Sequence, residues 1–156
     1  SIPLQKGKHQ QTPIREVRIS YIDLWQKMHW QSIQSAYGNA PFFEYYADDL
    51  KVHFEQKTDL LFDFNLGLIK SILELMGWDD DCISFSSEFE KNPTYFDFRN
   101  GISPKVHKQT PDPHFEITPY NQVFAEKHGF VENMSVLDLL FCTGPESIDI
   151  LEGCIV

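Results

Sequence analysis

Positive charge is scarce in this chain. Thirteen lysines and arginines stand against 23 aspartates and glutamates, so the 156 residues carry a formal charge of −10. Binding nucleic acid through its phosphates needs a clustered basic face, and none is present. Long apolar runs are also missing. None approaches the ~18 residues of a membrane span, and nothing resembles a signal peptide, so a cytoplasmic protein is expected. Cysteine is sparse: Cys82, Cys142 and Cys154 lie far apart with no CxxC spacing. That pattern excludes a disulfide framework or a cysteine zinc site and fits reduced thiols. The glycine patterns of P-loops and Rossmann turns are absent, as is GxSxG, so no cofactor is expected from these residues.

What the chain does have is apolar and aromatic mass. Hydrophobic residues make up 42% and aromatics 14%, with 13 Phe, 6 Tyr and 3 Trp, enough for a core and against disorder. The length fits one domain, taken as residues 1–156. Charge is uneven. Residues 1–20 carry Lys6, Lys8, Arg15 and Arg18 against Glu16, whereas residues 44–100 carry thirteen acids against five bases. The chain opens on Ser1-Ile-Pro-Leu, which already reads as a strand, so an upstream segment is expected to be missing.

Ser1–Leu4 and Ile14–Tyr21 read as strands, the second on Ile14, Val17 and Ile19. Tyr21–Tyr37 reads as a helix with Ile22, Trp25, His29, Ile33 and Ala36 on one face, stopped by Gly38 and Pro41. A second helix is expected from Phe42 to about Phe54. A third, capped by Thr58 or Asp59, carries Leu61, Phe64, Leu68, Ile72 and Met76 and ends at Gly77. Cys82–Ser87 reads as a short buried strand, and Glu88–Ile117, with four prolines, as a long loop. Thr118 and Pro119 open a helix that stops at Gly129. Ser135-x-x-Asp138 opens Val136–Phe141, and Glu146 to about Leu151 closes the chain. The expected class is α/β or α+β: a helix-rich domain with a few strands.

Candidate chemistry is scattered. The histidines lack HxH or HExxH spacing. His107 and His114 share the long loop with Asp112, but a metal needs three or four convergent ligands, so no metal site is expected. His29 reads either as a core histidine with one partner or as a general acid or base. Arg99 and Lys105, beside Ser103 in an acidic neighbourhood, read either as surface ion pairs or as holders of a phosphate or carboxylate. Asp138 is explained by the capping pattern.

One resemblance covers nearly the whole chain. Trp25-x3-His29-Trp30-x2-Ile33-x2-Ala36-Tyr37 followed by Pro41-Phe42-Phe43, then Leu61-x3-Asn65 and Ser86-Ser87, resembles the WbqC-like family. So does the closing run from Tyr120-x-Gln122-Val123-Phe124 through Gly129-Phe130 and Asn133-Met134-Ser135-x2-Asp138 to Gly144-Pro145. The family's strand and His-Gln-Pro-x-Tyr-type turn are not in this chain, and the loop at Ser103-Pro104-Lys105 departs from the commoner form. The resemblance implies an enzyme of bacterial O-antigen or surface-polysaccharide biosynthesis. It would act as a glycine-type acyl transferase on a nucleotide-activated amino sugar. On that reading His29, Tyr37 and Asn65 are the catalytic candidates, and Ser86, Ser87, Arg99, Lys105 and Tyr120 bind substrate. The alternative is a non-catalytic accessory protein whose aromatics anchor a protein partner or a second copy.

Overall fold

The computed structural model describes residues 1–5, 12–91, 93–94, 97–99 and 112–156. Among these residues six α-helices follow one another: α1 Trp25–Tyr37, α2 Phe43–Glu55, α3 Leu61–Leu75, α4 Ala125–His128, α5 Val136–Thr143 and α6 Ser147–Glu152. Single 3₁₀ turns occupy Ile14–Glu16, Asp80–Cys82 and Gly144–Glu146. None of these helices is long and apolar enough to cross a membrane.

The strand expectation is overturned. Among the described residues, β-pairing is confined to isolated bridges: Leu4 with Ile19, Arg18 with Leu60, and Phe115 with Ile155. The described residues therefore form a helical fold and not an α/β one. Segments 3–5, 17–20 and 59–61 do lie antiparallel. Gln5 N–H donates to Arg18 O, Ser20 N–H to Pro3 O, Ile19 N–H to Asp59 O and Leu61 N–H to Val17 O. The ladder stops there for three local reasons. Pro3 has no N–H to extend it, the turn at Ile14–Glu16 takes up the start of the expected second strand, and α3 begins at Leu61. Cys82–Ser87 finds no strand partner either. Its first residue ends a 3₁₀ turn, and Phe85, Ser86 and Ser87 are exposed.

Helix starts also differ from expectation. α1 begins at Trp25, because Tyr21 is tied by its hydroxyl to Thr58 and stays outside the helix. Ile22 is accordingly 92% exposed instead of buried. Neither Thr58 nor Asp59 caps α3. Leu60 is the extended N-cap residue, and the first N–H of the helix is satisfied by Val17 O. The α3 stop is as expected. Gly77 takes φ +82°, and Trp78 N–H reaches back to Leu73 O. The helix expected from Pro119 shrinks to α4, with residues 118–124 irregular before it.

Short connections force α1, α2 and α3 to pack in sequence, and α5 closes over α2. Trp30, Phe43, Leu50, Met76, Leu140 and Phe141 form the main core, with Phe43 and Phe141 rings 5.0 Å apart. A smaller cluster of Ile19, Trp25 and Phe64 sits beside it. Phe42 N–H donates to Phe141 O and joins the start of α2 to α5. Gly144 allows this approach: its φ is +57°, and a Cβ there would lie 2.5 Å from the Phe42 ring.

Candidate functional site

The start of α1 and the end of α2 enclose a groove of about 340 Å³. Tyr21 and Phe54 supply its aromatic surface with the largely buried Trp30 at its base, and Lys27, Lys51 and Lys57 line it together with Asp23 and Glu55. Its frame is fixed by hydrogen bonds to the link between α2 and α3. The Tyr21 hydroxyl donates to Thr58 O and accepts from Thr58 N–H, both at 2.8 Å, and Gln26 Nε2 donates to Gln56 O at 2.6 Å. Lys57 Nζ lies 5.3 Å from the centroid of the Tyr21 ring, a cation–π distance. Lys51 Nζ sits 2.9 Å from Glu55 Oε1 one turn away, and that hydrogen bond raises the lysine pKa. Three lysines against two carboxylates make this groove locally positive in a chain of charge −10.

A second polar centre lies under α5. Asp138 is buried, 4% exposed. Its Oδ2 accepts from the Tyr120 hydroxyl at 2.7 Å and from Gln122 Nε2 at 3.0 Å. Gln122 also accepts from Val131 N–H and donates to Val131 O, which ties the 120s to the 130s. Burial raises the Tyr120 pKa strongly, and the Asp138 carboxylate adds to it, so the phenol stays protonated as a donor. Tyr37 is raised by burial and then by the same carboxylate. Cys142 is likewise pushed up by burial first, which leaves a thiol and not a thiolate nucleophile at neutral pH. A cavity of about 320 Å³ opens beside Tyr120 and Cys142, reaching Asn121 and Glu146.

A model of the WbqC-like protein family matches residues 1–110. The chain belongs to this family. Comparison with curated proteins gave no match, and neither did comparison with solved structures. The WbqC-like match contains every residue of the α1–α2 groove and ends before Tyr120, so the closing run from Tyr120 to Pro145 lies beyond it.

The expected site residues are spread over the WbqC-like chain. His29 and Tyr37 share α1 but stand eight residues apart, about 12 Å of helix rise. His29 packs edge-on against Trp25 at 5.2 Å. Burial lowers its pKa, and a hydrogen bond to the Ser1 backbone opposes this. Tyr37 sits instead against Phe141, near Asp138. Asn65 is exposed on α3, and Ser86 and Ser87 are exposed in the run after the 3₁₀ turn. Arg99 makes two 2.7 Å bonds to Asp97, donates to Glu90 O at 2.8 Å and lies 4.7 Å over the Phe89 ring. The guanidinium bonds hold the Asp97 carboxyl down at about 2. Lys105, Ser103 and His107 lie outside the described residues. Of the expected residues that are described, only Tyr37 and Tyr120 are brought together, around Asp138.

Asp138 departs from its expected role. Ser135 caps α5, its Oγ accepting from Leu137 N–H, but Asp138 Oδ2 turns to Tyr120 and Gln122. The groove itself escaped the sequence reading. Its signal is a lysine three residues before an aromatic on two consecutive helices: Lys27 and Trp30, then Lys51 and Phe54. That spacing puts each pair on one helix face. Between α2 and α3, His53 Nε2 and Ser71 Oγ lie 2.7 Å apart, with the His53 ring over Gly67. Ser71 is interior to α3, where its own N–H is committed to the helix and cannot stabilise an oxyanion. Among the described residues, no group of three or more potential metal ligands converges.

Proposed function

We propose that this WbqC-like protein is a cytoplasmic enzyme of surface-polysaccharide biosynthesis that takes a nucleotide-activated amino sugar in the α1–α2 groove. The observation that carries the reading is the groove itself. Aromatic faces suit the apolar side of a base or sugar ring, and lysines suit an anionic diphosphate. The cavity beside Tyr120 and Cys142, by contrast, has no lysine or arginine in its lining. The finer proposal is transfer of a glycine-type acyl group to the sugar amine. The amine attacks the acyl carbonyl, an amide forms, the leaving group departs, and a base takes the amine proton. His29, which packs on Trp25 outside the residues that line the groove, is the proposed base, with burial favouring its neutral form.

The test is a thermal-shift screen of the full chain against nucleotide sugars, nucleotides and free sugars. Stabilisation by nucleotide-activated amino sugars alone supports the reading. Mass spectrometry of the sugar after incubation with activated acyl donors then tests the transfer. If His29→Ala keeps full turnover, the base assignment is wrong.

A second reading rests on a different observation. Ile22, Leu24 and Met28 are 92%, 74% and 62% exposed around the start of α1, an apolar ledge at the groove rim. An accessory protein that docks on another component of the same machinery would use such a ledge. Failure of every nucleotide sugar to bind, with Leu24→Glu abolishing a specific protein complex, would favour it.

A further inference from the structure

Resting on the groove assignment above, we infer that Lys27, Lys51 and Lys57 form a phosphate-binding subsite, with Glu55 as an internal competitor that holds Lys51 until the phosphate arrives. Lys51 and Glu55 are one helical turn apart at 2.9 Å, and their side chains are 40% and 60% exposed. An exposed lysine–carboxylate pair of this kind is worth little, so the lysine can exchange its partner cheaply. A diphosphate offers it a more highly charged acceptor. Lys57 is held differently. Its ammonium rests over the Tyr21 ring, and that ring is fixed by both bonds to Thr58. Lys57 is therefore placed in the free protein, while Lys51 is recruited. Lys27 projects from α1 one turn before Trp30, which brings the third cation to the side of the groove opposite Lys51. Asp23 also lines the groove and sets a limit on its net charge.

This arrangement makes a prediction with an unusual sign. Removing the Glu55 charge should improve ligand binding, because it frees Lys51 without touching a binding cation. Isothermal titration of the full chain with inorganic pyrophosphate, then with a nucleoside diphosphate sugar, reads this directly. Lys27→Ala, Lys51→Ala and Lys57→Ala should each weaken pyrophosphate binding by about fivefold to tenfold, and Glu55→Gln should strengthen it about threefold. Binding should also weaken steeply as salt rises from low to physiological strength. If the nucleotide sugar binds while pyrophosphate does not compete and the lysine variants are unchanged, the subsite is overturned and the function survives. If Glu55→Gln weakens both ligands equally, the competitor role is overturned. If neither ligand binds the wild-type chain, the subsite and the functional reading fall together. Circular dichroism of each variant separates loss of binding from loss of fold.

Discussion

Around the α1–α2 groove, charged groups stand beside aromatic rings with partners that are weak or replaceable: a lysine on a ring face, another on an exposed carboxylate. Around Asp138, a buried carboxylate is held by half-buried neighbours, Tyr120 and Gln122, and Gln122 bonds in turn to Val131. Both regions look functional as lists of residues. Their difference lies in what a ligand would have to displace. A ligand at the groove displaces water and an exposed ion pair that contributes little. A ligand that competed for Asp138 would have to break hydrogen bonds to a buried carboxylate, each worth about 1.5–3 kcal/mol. On the proposed function, the C-terminal region is then a structural clasp and the groove the binding surface.

The contrast can be broken first at the core beneath the clasp. Phe141 is fully buried between Phe43 and Tyr37. Phe141→Ala should cost about 3–5 kcal/mol in urea unfolding, enough to unfold a marginal domain. A loss under 1 kcal/mol would mean that α5 does not pack as described.

Next in size is Tyr120→Phe, which leaves Asp138 with Gln122 alone. A loss of about 1.5–3 kcal/mol is expected, with unchanged ligand affinity at the groove. Weakened nucleotide-sugar binding with intact stability would reverse the roles assigned to the two regions.

The histidines give a smaller, pH-dependent effect. Burial lowers the pKa of His53 below its usual 6.5, and its Nε2 pairs with Ser71. The folded chain then binds fewer protons than the unfolded one. This stability is complete above about pH 6.5 and is lost as pH falls toward the folded-state value. His53→Gln should narrow the stability gap between pH 7.5 and pH 5. An unchanged gap in urea midpoints would show that His53 does not titrate against folding.

Smallest of all in stability are the groove lysines. Lys27→Ala and Lys57→Ala should change unfolding free energy by no more than about 0.5 kcal/mol while lowering ligand affinity. A large stability loss in either would make the lysines structural and remove the basis of the contrast.

The legible parts of this chain were those with local causes. Trp25–Tyr37, Phe43–Glu55 and Leu61–Leu75 follow from 3.6-residue apolar spacing, and the α3 stop follows from a glycine with positive φ. Ser135 announces α5 because an N-cap acts on the residues next to it. The strands failed because β-branched residues report a half-buried extended segment, and only partners elsewhere make that segment a sheet. Here the partners, 3–5 and 59–61, are three residues long. The candidate site was less legible for the same reason. Asp138 reads as part of a cap from its spacing, and its turn toward Tyr120 depends on a contact 18 residues distant. Arg99 was more legible: one of its two readings is a surface ion pair, and Asp97 two residues away supplies it.

The indole N–H signals report most directly on whether the groove is the ligand site. The chain has three tryptophans: Trp30 lines the groove, Trp25 stacks near Tyr21, and Trp78 lies beyond α3. Two-dimensional ¹H–¹⁵N spectra, assigned with Trp78→Phe and recorded while a nucleoside diphosphate amino sugar is added, should show the Trp30 indole signal moving and the Trp78 signal still. Movement confined to amides of residues 118–139, with the Trp30 indole unmoved, would contradict the groove and return the ligand to the Tyr120 region.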